Sequence, residues 1–146
     1  MSPTRILLLA TFTLGGCSRT VTTYSARDNS SFESAEAAIN QVVSAALEAE
    51  AAGRPTDTLF VPKPIVVVNG RTRTIPPLFA AIAPGGVVAV TSSQLEIRQG
   101  LAWSLVDYRW EATGYNLVRE GQATLILSMQ QDGHWRISHA HSSSPR

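Results

Sequence analysis

The chain has 146 residues, of which 44% are hydrophobic and 16% are charged, and its formal net charge at pH 7 is +1. This length is sufficient for one domain with a buried core. A nearly neutral chain without a basic stripe argues against a nucleic-acid partner. Because the sequence has a single cysteine, a disulfide within the chain and a multi-thiolate metal site are excluded.

Residues 1–16 have the layout of an export signal, with Arg5 as the only charge before an apolar run. The run is shorter than the roughly 20 apolar residues of a transmembrane helix. It ends in Leu14-Gly15-Gly16-Cys17, which resembles the lipobox of bacterial lipoproteins. That resemblance implies removal of the signal and acylation of Cys17, which would anchor the chain in a lipid bilayer. Inner-membrane lipoproteins often carry aspartate after the cysteine, so by the same resemblance Ser18 favours the periplasmic face of the outer membrane.

Residues 17–32 are small and polar, which predicts a lipidated flexible tether. An amphipathic helix follows, with Ser30 and Glu33 as a capping box at its start and Gly53 as its stop. Glu50 is placed on the polar side of this helix. The apolar side repeats at helical spacing and consists of Ala35, Ala38, Ile39, Val42, Val43, Ala46 and Leu47.

The second half of the chain has the pattern of an antiparallel sheet. A short helical turn is predicted within 56–61, and Asn69-Gly70 predicts a hairpin after a β-branched run. Leu78–Ile82 is predicted as a short helix after a proline pair. Strands are then expected at about 87–98, 101–112, 118–131 and 134–142. Helices followed by a meander indicate an α+β fold with a helix layer on one sheet face.

Two stretches near the end of the chain, Glu120–Leu127 and Asp132–Ser143, resemble the SnoaL-like and ketosteroid-isomerase-like group of the nuclear transport factor 2-like superfamily. The resemblance covers residues 33–143 and implies a cone, in which a strongly curved antiparallel sheet wraps over N-terminal helices and leaves a pocket. Members include isomerases, cyclases, dehydratases and hydrolases as well as binding or oligomerisation modules without catalysis, so the fold does not decide the function.

Strand alternation suggests which residues face that pocket. Alternate residues of a strand point to the same side, so Tyr108 and Trp110 share one face of their strand, and His139 and His141 share one face of the last strand. We expect these four side chains to line one apolar cavity with a few polar tips. Trp135 and Ile137 are expected on the same face as the two histidines, and the apolar face of the preceding strand consists of Ala123, Leu125, Leu127 and Met129.

Three interpretations of this set remain. His139 and His141 would converge on a metal, but a catalytic zinc needs a third protein ligand and none is placed nearby. Alternatively, one histidine acts as a general base while Tyr108 holds an oxyanion, as in an isomerase or lyase. In the third interpretation, the histidines are structural and the aromatic residues bind a small apolar ligand or fill the cone.

We therefore expect a non-catalytic lipoprotein domain in the periplasm that binds a small apolar molecule or a protein partner. The alternative is a ketosteroid-isomerase-like enzyme that uses a pocket histidine. No metal or other cofactor is predicted. Relatives often pair through the outer sheet face, so the resemblance also allows a homodimer with Leu105, Thr124 and Ile126 at the contact.

Overall fold

The computed structural model describes residues 26–74 and 78–144. It begins with helix α1 (Ala26–Ala51), followed by a 3-10 turn (Asp57–Leu59) and then by strands. The strands are β1 (Phe60–Val68), β2 (Arg71–Arg73), β3 (Gly86–Arg98), β4 (Leu101–Ala112), β5 (Val118–Met129) and β6 (Trp135–Ser143). The predicted signal, Cys17 and the first part of the predicted tether lie outside the described residues.

The described strands form one curved, unclosed sheet in the order β2-β1-β6-β5-β4-β3, with α1 packed against it. Neighbouring strands are antiparallel except β1 and β6, which run parallel. This arrangement is the cone of the predicted α+β fold. The predicted meander is confirmed, because β3 to β6 lie side by side in chain order and begin and end close to the expected residues.

Helix α1 is longer at its start than the sequence pattern predicts. The chain is already helical at Ala26, the first described residue, so the predicted tether overlaps the helix over residues 26–32, and Ser30 does not mark the helix start. Its apolar face packs toward the core as expected, with Ile39, Val43, Ala46 and Leu47 buried and Ala35, Ala38 and Val42 half-buried. The predicted stop is confirmed, because Gly53 has a φ of +66° and the Arg54 N–H donates to the Ala49 carbonyl at 2.7 Å.

The hairpin between β1 and β2 turns at Asn69 and Gly70, as predicted. Both residues have positive φ, 49° and 75°, which is the backbone that a two-residue hairpin of this kind requires. The Asn69 N–H donates to the Ser142 carbonyl at 2.9 Å, and the Asn69 Oδ1 accepts from the Ser144 N–H at 3.1 Å. These bonds fix the turn against the end of β6.

The interior of the cone is filled by its own side chains. Tyr108 lies directly over Gly121, so that a Cβ at this glycine would overlap the tyrosine ring. Trp110 lies over Gly86 in the same way, with its indole ring in the space that a Cβ would need. Phe79 meets Tyr108 edge to face, with ring centroids 6.4 Å apart. These aromatic rings therefore fill the space between the turn at residues 78–84 and the middle of β4 and β5.

The described residues share one contiguous hydrophobic core, whose fully buried members lie between Ile39 and Ala140 in the chain. A chain of residues 18–146 therefore contains the whole of this core. Across residues 26–74 and 78–144, no helix combines the length and the apolar composition that are needed to cross a bilayer.

The predicted helix over Leu78–Ile82 is wrong. The segment is a turn in which Ala81 has a φ of 63°, and the prolines expected to open the helix belong to 75–77, outside the described residues. A helix needs the backbone groups of one segment to bond to each other. Here the backbone groups of Phe79 and Ala80 bond instead to side chains of other elements.

Candidate functional site

An open cleft lies beside the filled cone. Its volume is about 1040 Å³, and it is bounded by the C-terminal end of α1, the 3-10 turn, the first half of β1 and residues 78–84. Small-ligand pockets typically occupy about 300–1,000 Å³. Much of the wall is apolar and includes Phe60, Leu78 and Ile82. In size and lining, the cleft suits a small organic molecule.

One wall of the cleft is an excursion of β1 out of the sheet. Phe60 pairs with Ile137 and Ile65 pairs with His139, so β1 advances by five residues where β6 advances by two. The excursion contains Pro62 and Pro64, which have no N–H to donate to a neighbouring strand. Residues 61–64 therefore bulge away from β6 and line the cleft.

Lys63 stands at the centre of this excursion in an unfavourable backbone conformation. Its φ is 62°, a region that costs an ordinary L-residue about 1–2 kcal/mol and that glycine or asparagine adopts more easily. The side chain is exposed and lines the cleft. No carboxylate of the described residues forms an ion pair with it. Backbone strain of this kind is often retained at functional sites.

Glu50 supplies a buried carboxylate to the same cleft. It is 5% exposed, and its Oε1 and Oε2 accept from the Phe79 N–H at 2.9 and 3.1 Å. Burial raises the pKa of Glu50 to about 7, against the smaller lowering effect of the backbone N–H groups of Phe79 and Leu78. Near neutral pH this carboxyl group can both donate and accept a proton.

The turn that carries Phe79 is also held from the sheet. The Ala80 N–H donates to Ser142 Oγ at 2.9 Å, and the Tyr108 hydroxyl donates to the Ala80 carbonyl. Burial, followed by the negative charge of Glu50, raises the pKa of Tyr108 above its usual range. Side chains from α1, β4 and β6 thus fix one side of the cleft.

Charged side chains at the rim are mostly basic. Arg54, Lys63 and Arg136 line the cleft, against Asp57 and the buried Glu50. Arg136 forms an ion pair with Asp132, which lies outside the cleft lining. The pKa of Asp132 is lowered, first by the hydrogen bond from the His134 N–H and further by the charge of Arg136.

The structure does not bring the four predicted pocket residues together. Tyr108 and Trp110 point into the core, where they are 1% and 4% exposed. His139 and His141 lie on the opposite, outer face of the sheet, in register with Ile126 and Thr124 of β5. None of the four lines the cleft of about 1040 Å³. Tyr108 borders a smaller depression of about 510 Å³ that is lined mainly by polar residues.

The predicted face of β6 is wrong beyond Ile137 because of a β-bulge. Ile137 pairs with Leu127 and His139 pairs with Ile126, so Ser138 is an extra residue in the ladder. The Ser138 hydroxyl donates to the Ile126 carbonyl at 3.1 Å. One extra residue reverses every following side chain, which places Ala140 and Ser142 inside and the two histidines outside.

Other parts of the predicted faces are confirmed or corrected by burial. Trp135 and Ile137 are buried, as are Ala123, Leu125 and Leu127, whereas Met129 is 42% exposed at the end of β5. Leu105, Thr124 and Ile126 are half-buried on the outer face, and pairing through that face stays a prediction. Among residues 26–74 and 78–144, no three His, Cys, Asp or Glu side chains are arranged to hold a metal ion.

The sequence contains a signal for each of the two cleft residues that the predicted site lacks. Glu50 follows Val43 by seven residues and Ala46 by four, so helical spacing places it on the buried face rather than the polar one. For Lys63 the signal is the pair of flanking prolines, because proline within a run of strand residues indicates a bulge or an edge.

No protein-family model matches the sequence, and no curated protein matches it. Solved structures do match. A nuclear transport factor 2-like superfamily protein from Salmonella enterica serovar Typhimurium superposes with a TM-score of 0.65 at 14% identity, over 79% of this chain and 94% of that chain. A protein of unknown function from Mycobacterium tuberculosis gives a TM-score of 0.61 at 19% identity, over 84% and 77% of the two chains.

A third structure, a candidate ketosteroid isomerase from Shewanella frigidimarina, gives a TM-score of 0.55 at 20% identity, over 75% of this chain and 94% of that chain. Likeness at this level of identity describes the fold and not the activity. It agrees with the helix, the sheet order and the curvature described above. The chain therefore has the nuclear transport factor 2-like fold, shared with ketosteroid-isomerase-like proteins.

Proposed function

We propose that this domain binds a small apolar molecule in the cleft. We also propose that the protein is a lipoprotein, anchored on the periplasmic face of the outer membrane. The observation that supports binding is an open, largely apolar cleft next to a filled cone. Concave apolar sites with a few polar groups suit small ligands. This geometry favours a small molecule over a protein partner.

The binding proposal is tested with Nile red, a neutral dye that fluoresces in apolar surroundings, titrated into residues 18–146. Thr58 is exposed and lines the cleft, so Thr58→Trp fills it and lowers the affinity for the dye about tenfold. Thr113→Trp is the matched control, since Thr113 is exposed in a turn outside the cleft. Equal affinities of both variants and the wild type would place the dye elsewhere and contradict the proposal.

The anchoring proposal rests on the apolar run that ends in Leu14-Gly15-Gly16-Cys17. Several acyl chains on one cysteine hold a domain firmly on a bilayer, since each buried methylene contributes about 0.8 kcal/mol. The full chain should fractionate with outer membranes and incorporate a labelled fatty acid. Cys17→Ser should abolish the labelling and release the protein, and labelling that persists in this variant would contradict acylation at Cys17.

A second candidate function is an isomerase or lyase that uses Glu50 instead of a histidine. One observation favours it, namely a buried carboxyl group in an apolar cleft with a pKa of about 7, which suits a general base near neutral pH. Tyr108 does not take part as an oxyanion donor in this version, because its hydroxyl is bonded to the Ala80 carbonyl.

The test of the second function is isomerisation of a β,γ-unsaturated ketosteroid, followed by ultraviolet absorbance. Glu50→Gln should abolish turnover while it preserves Nile red binding, and Glu48→Gln, on the exposed side of α1, should leave both unchanged. Absence of turnover in the wild type, or full activity of Glu50→Gln, would contradict this candidate function for the tested substrate class.

A further inference from the structure

We propose that the ligand of the cleft is an amphiphile with an anionic head, which the ammonium group of Lys63 binds at the rim while the apolar body lies against the cleft wall. This inference rests on the proposed binding function and specifies its ligand class.

The backbone around Lys63 is the first observation in support. The excursion of β1 leaves the sheet between Phe60 and Ile65, and its two prolines restrict the chain on both sides of the lysine. The φ of 62° at Lys63 does not stabilise the fold, because glycine or asparagine would adopt this backbone conformation with less strain. The structure thus presents the side chain of Lys63 to the cleft at a cost in backbone strain.

The distribution of charge is the second observation. Among the described residues, Arg98 and Arg109 outside the cleft and Arg136 in its lining each have a carboxylate partner, whereas Arg71, Arg73 and Arg119, all outside the cleft, have none. Lys63 and Arg54 both line the cleft, and no ion pair joins either of them to a carboxylate of the described residues. An unpaired cation at the mouth of an apolar site favours a ligand that brings its own negative charge.

The acidic residues of the cleft do not compensate these cations. The carboxylate of Glu50 is buried and accepts from the Phe79 N–H, so it is directed toward the turn. Asp57 is the one exposed acidic residue among those that the structure places in the lining. The rim therefore carries a basic surplus, while much of the wall is apolar and suits the body of an amphiphile.

Carboxylate and phosphate heads share the required chemistry, because a lysine ammonium binds either as a compact point charge. The experiment uses three probes with the same alkyl chain, namely dodecanoate, dodecyl phosphate and dodecan-1-ol. Each is titrated below its aggregation limit into residues 18–146 and followed by calorimetry.

The wild type should bind at least one of the two anionic probes about tenfold more tightly than the alcohol, and Lys63→Gln should abolish that preference without weakening alcohol binding. Arg71→Gln is the matched control, since Arg71 is an exposed cation on β2 that does not line the cleft. Lys63→Asn should behave like Lys63→Gln while it relieves the backbone strain, which separates loss of charge from loss of folding.

If the alcohol and the anionic probes bind equally, or if Lys63→Gln retains the preference for the anions, the proposed anionic ligand class is wrong. Binding of an apolar molecule in the cleft would not be contradicted by that result. If none of the three probes binds and Nile red also fails to bind, the proposed function fails, and this inference fails with it.

Discussion

The inner face of the cone and the cleft beside it are built from different kinds of residues. The inner face follows regular strand alternation, and its aromatic rings close over glycines, as Tyr108 does over Gly121. The cleft is lined by residues that depart from regular patterning, namely the buried acid Glu50, Lys63 with its positive φ, and the segment of β1 that bulges away from β6. Regular patterning stabilises the fold, whereas the departures from it mark the place where a ligand is expected.

This contrast also explains how one frame can support different sites. The sheet and α1 provide a fixed frame with a filled interior. Residues 61–64, the excursion of β1, form a short segment at the end of that frame and are not among its buried core residues. Changes confined to such segments alter a site without disturbing the core.

The largest expected effect lies at Glu50, where the two regions meet. Its folded-state pKa of about 7 exceeds the ordinary value of 4.5, so the contribution to stability is complete below pH 4.5 and is lost as the pH rises through 7. The shift corresponds to about 3 kcal/mol. Glu50→Gln should remove this pH dependence in urea unfolding and stabilise the domain at pH 8.

The matched control for that measurement is Glu48→Gln, an exposed neighbour on the same helix, which should retain the pH dependence of the wild type. If the free energy of unfolding does not fall between pH 5 and pH 8, or falls by an amount that Glu50→Gln does not remove, the pKa of Glu50 is not raised in the folded state and the account is contradicted.

A smaller loss is expected when the cone interior is overpacked. In Gly121→Ala the added Cβ would overlap the Tyr108 ring, so we expect a destabilisation of about 2–3 kcal/mol, measured by urea unfolding. Gly114→Ala is the control, because its Cβ position is free of contacts within 4 Å beyond its chain neighbours and only its φ of +79° opposes the change. If Gly121→Ala is the milder of the two, the interior is less filled than the structure indicates.

The third effect has the opposite sign and lies in the cleft. Lys63→Asn should raise the free energy of unfolding by about 0.5–1 kcal/mol, because asparagine adopts positive φ with less strain. Thermal and urea unfolding measure the gain. A clear loss of stability would mean that contacts of the Lys63 side chain stabilise the fold by more than the positive φ of its backbone costs.

The smallest effect is expected on the outer face of the sheet. His139→Gln and His141→Gln should each change the free energy of unfolding by less than about 0.5 kcal/mol and leave Nile red affinity unaltered. Titration of the dye into both variants checks this result. A marked loss of dye affinity in either variant would mean that the histidines belong to the ligand site, and it would contradict their place on the outer face.

Most of the fold is predictable from the sequence because it depends on local patterns. Alternation and turn residues locate β3 to β6, and Asn69-Gly70 locates the hairpin. The same reasoning fails at β6, since the bulge at Ser138 depends on pairing with β5 and leaves no local signal. Because of the bulge, His139 and His141 lie on the outer face of the sheet, apart from Tyr108 and Trp110, so the four residues do not form the predicted pocket.

The cleft is not predictable from strand alternation, because its parts come together only in three dimensions. Glu50 and Phe79 are far apart in the chain and meet through hydrogen bonds from one backbone N–H. The turn at residues 78–82 has the local sequence pattern of a helix. That pattern gives no indication of the hydrogen bonds that Ala80 forms with Tyr108 on β4 and Ser142 on β6. Helical spacing, applied strictly, does identify Glu50 as buried.

The central claim is that the ligand lies in the cleft and not in the cone. The most direct test is amide chemical-shift mapping of isotope-labelled residues 18–146 titrated with Nile red. We predict that the shifts concentrate in residues 53–63 and 78–83, around the cleft. Shifts concentrated in the middle of β4 and β5, or around His139 and His141, would place the ligand in the cone or on the outer face and contradict the claim.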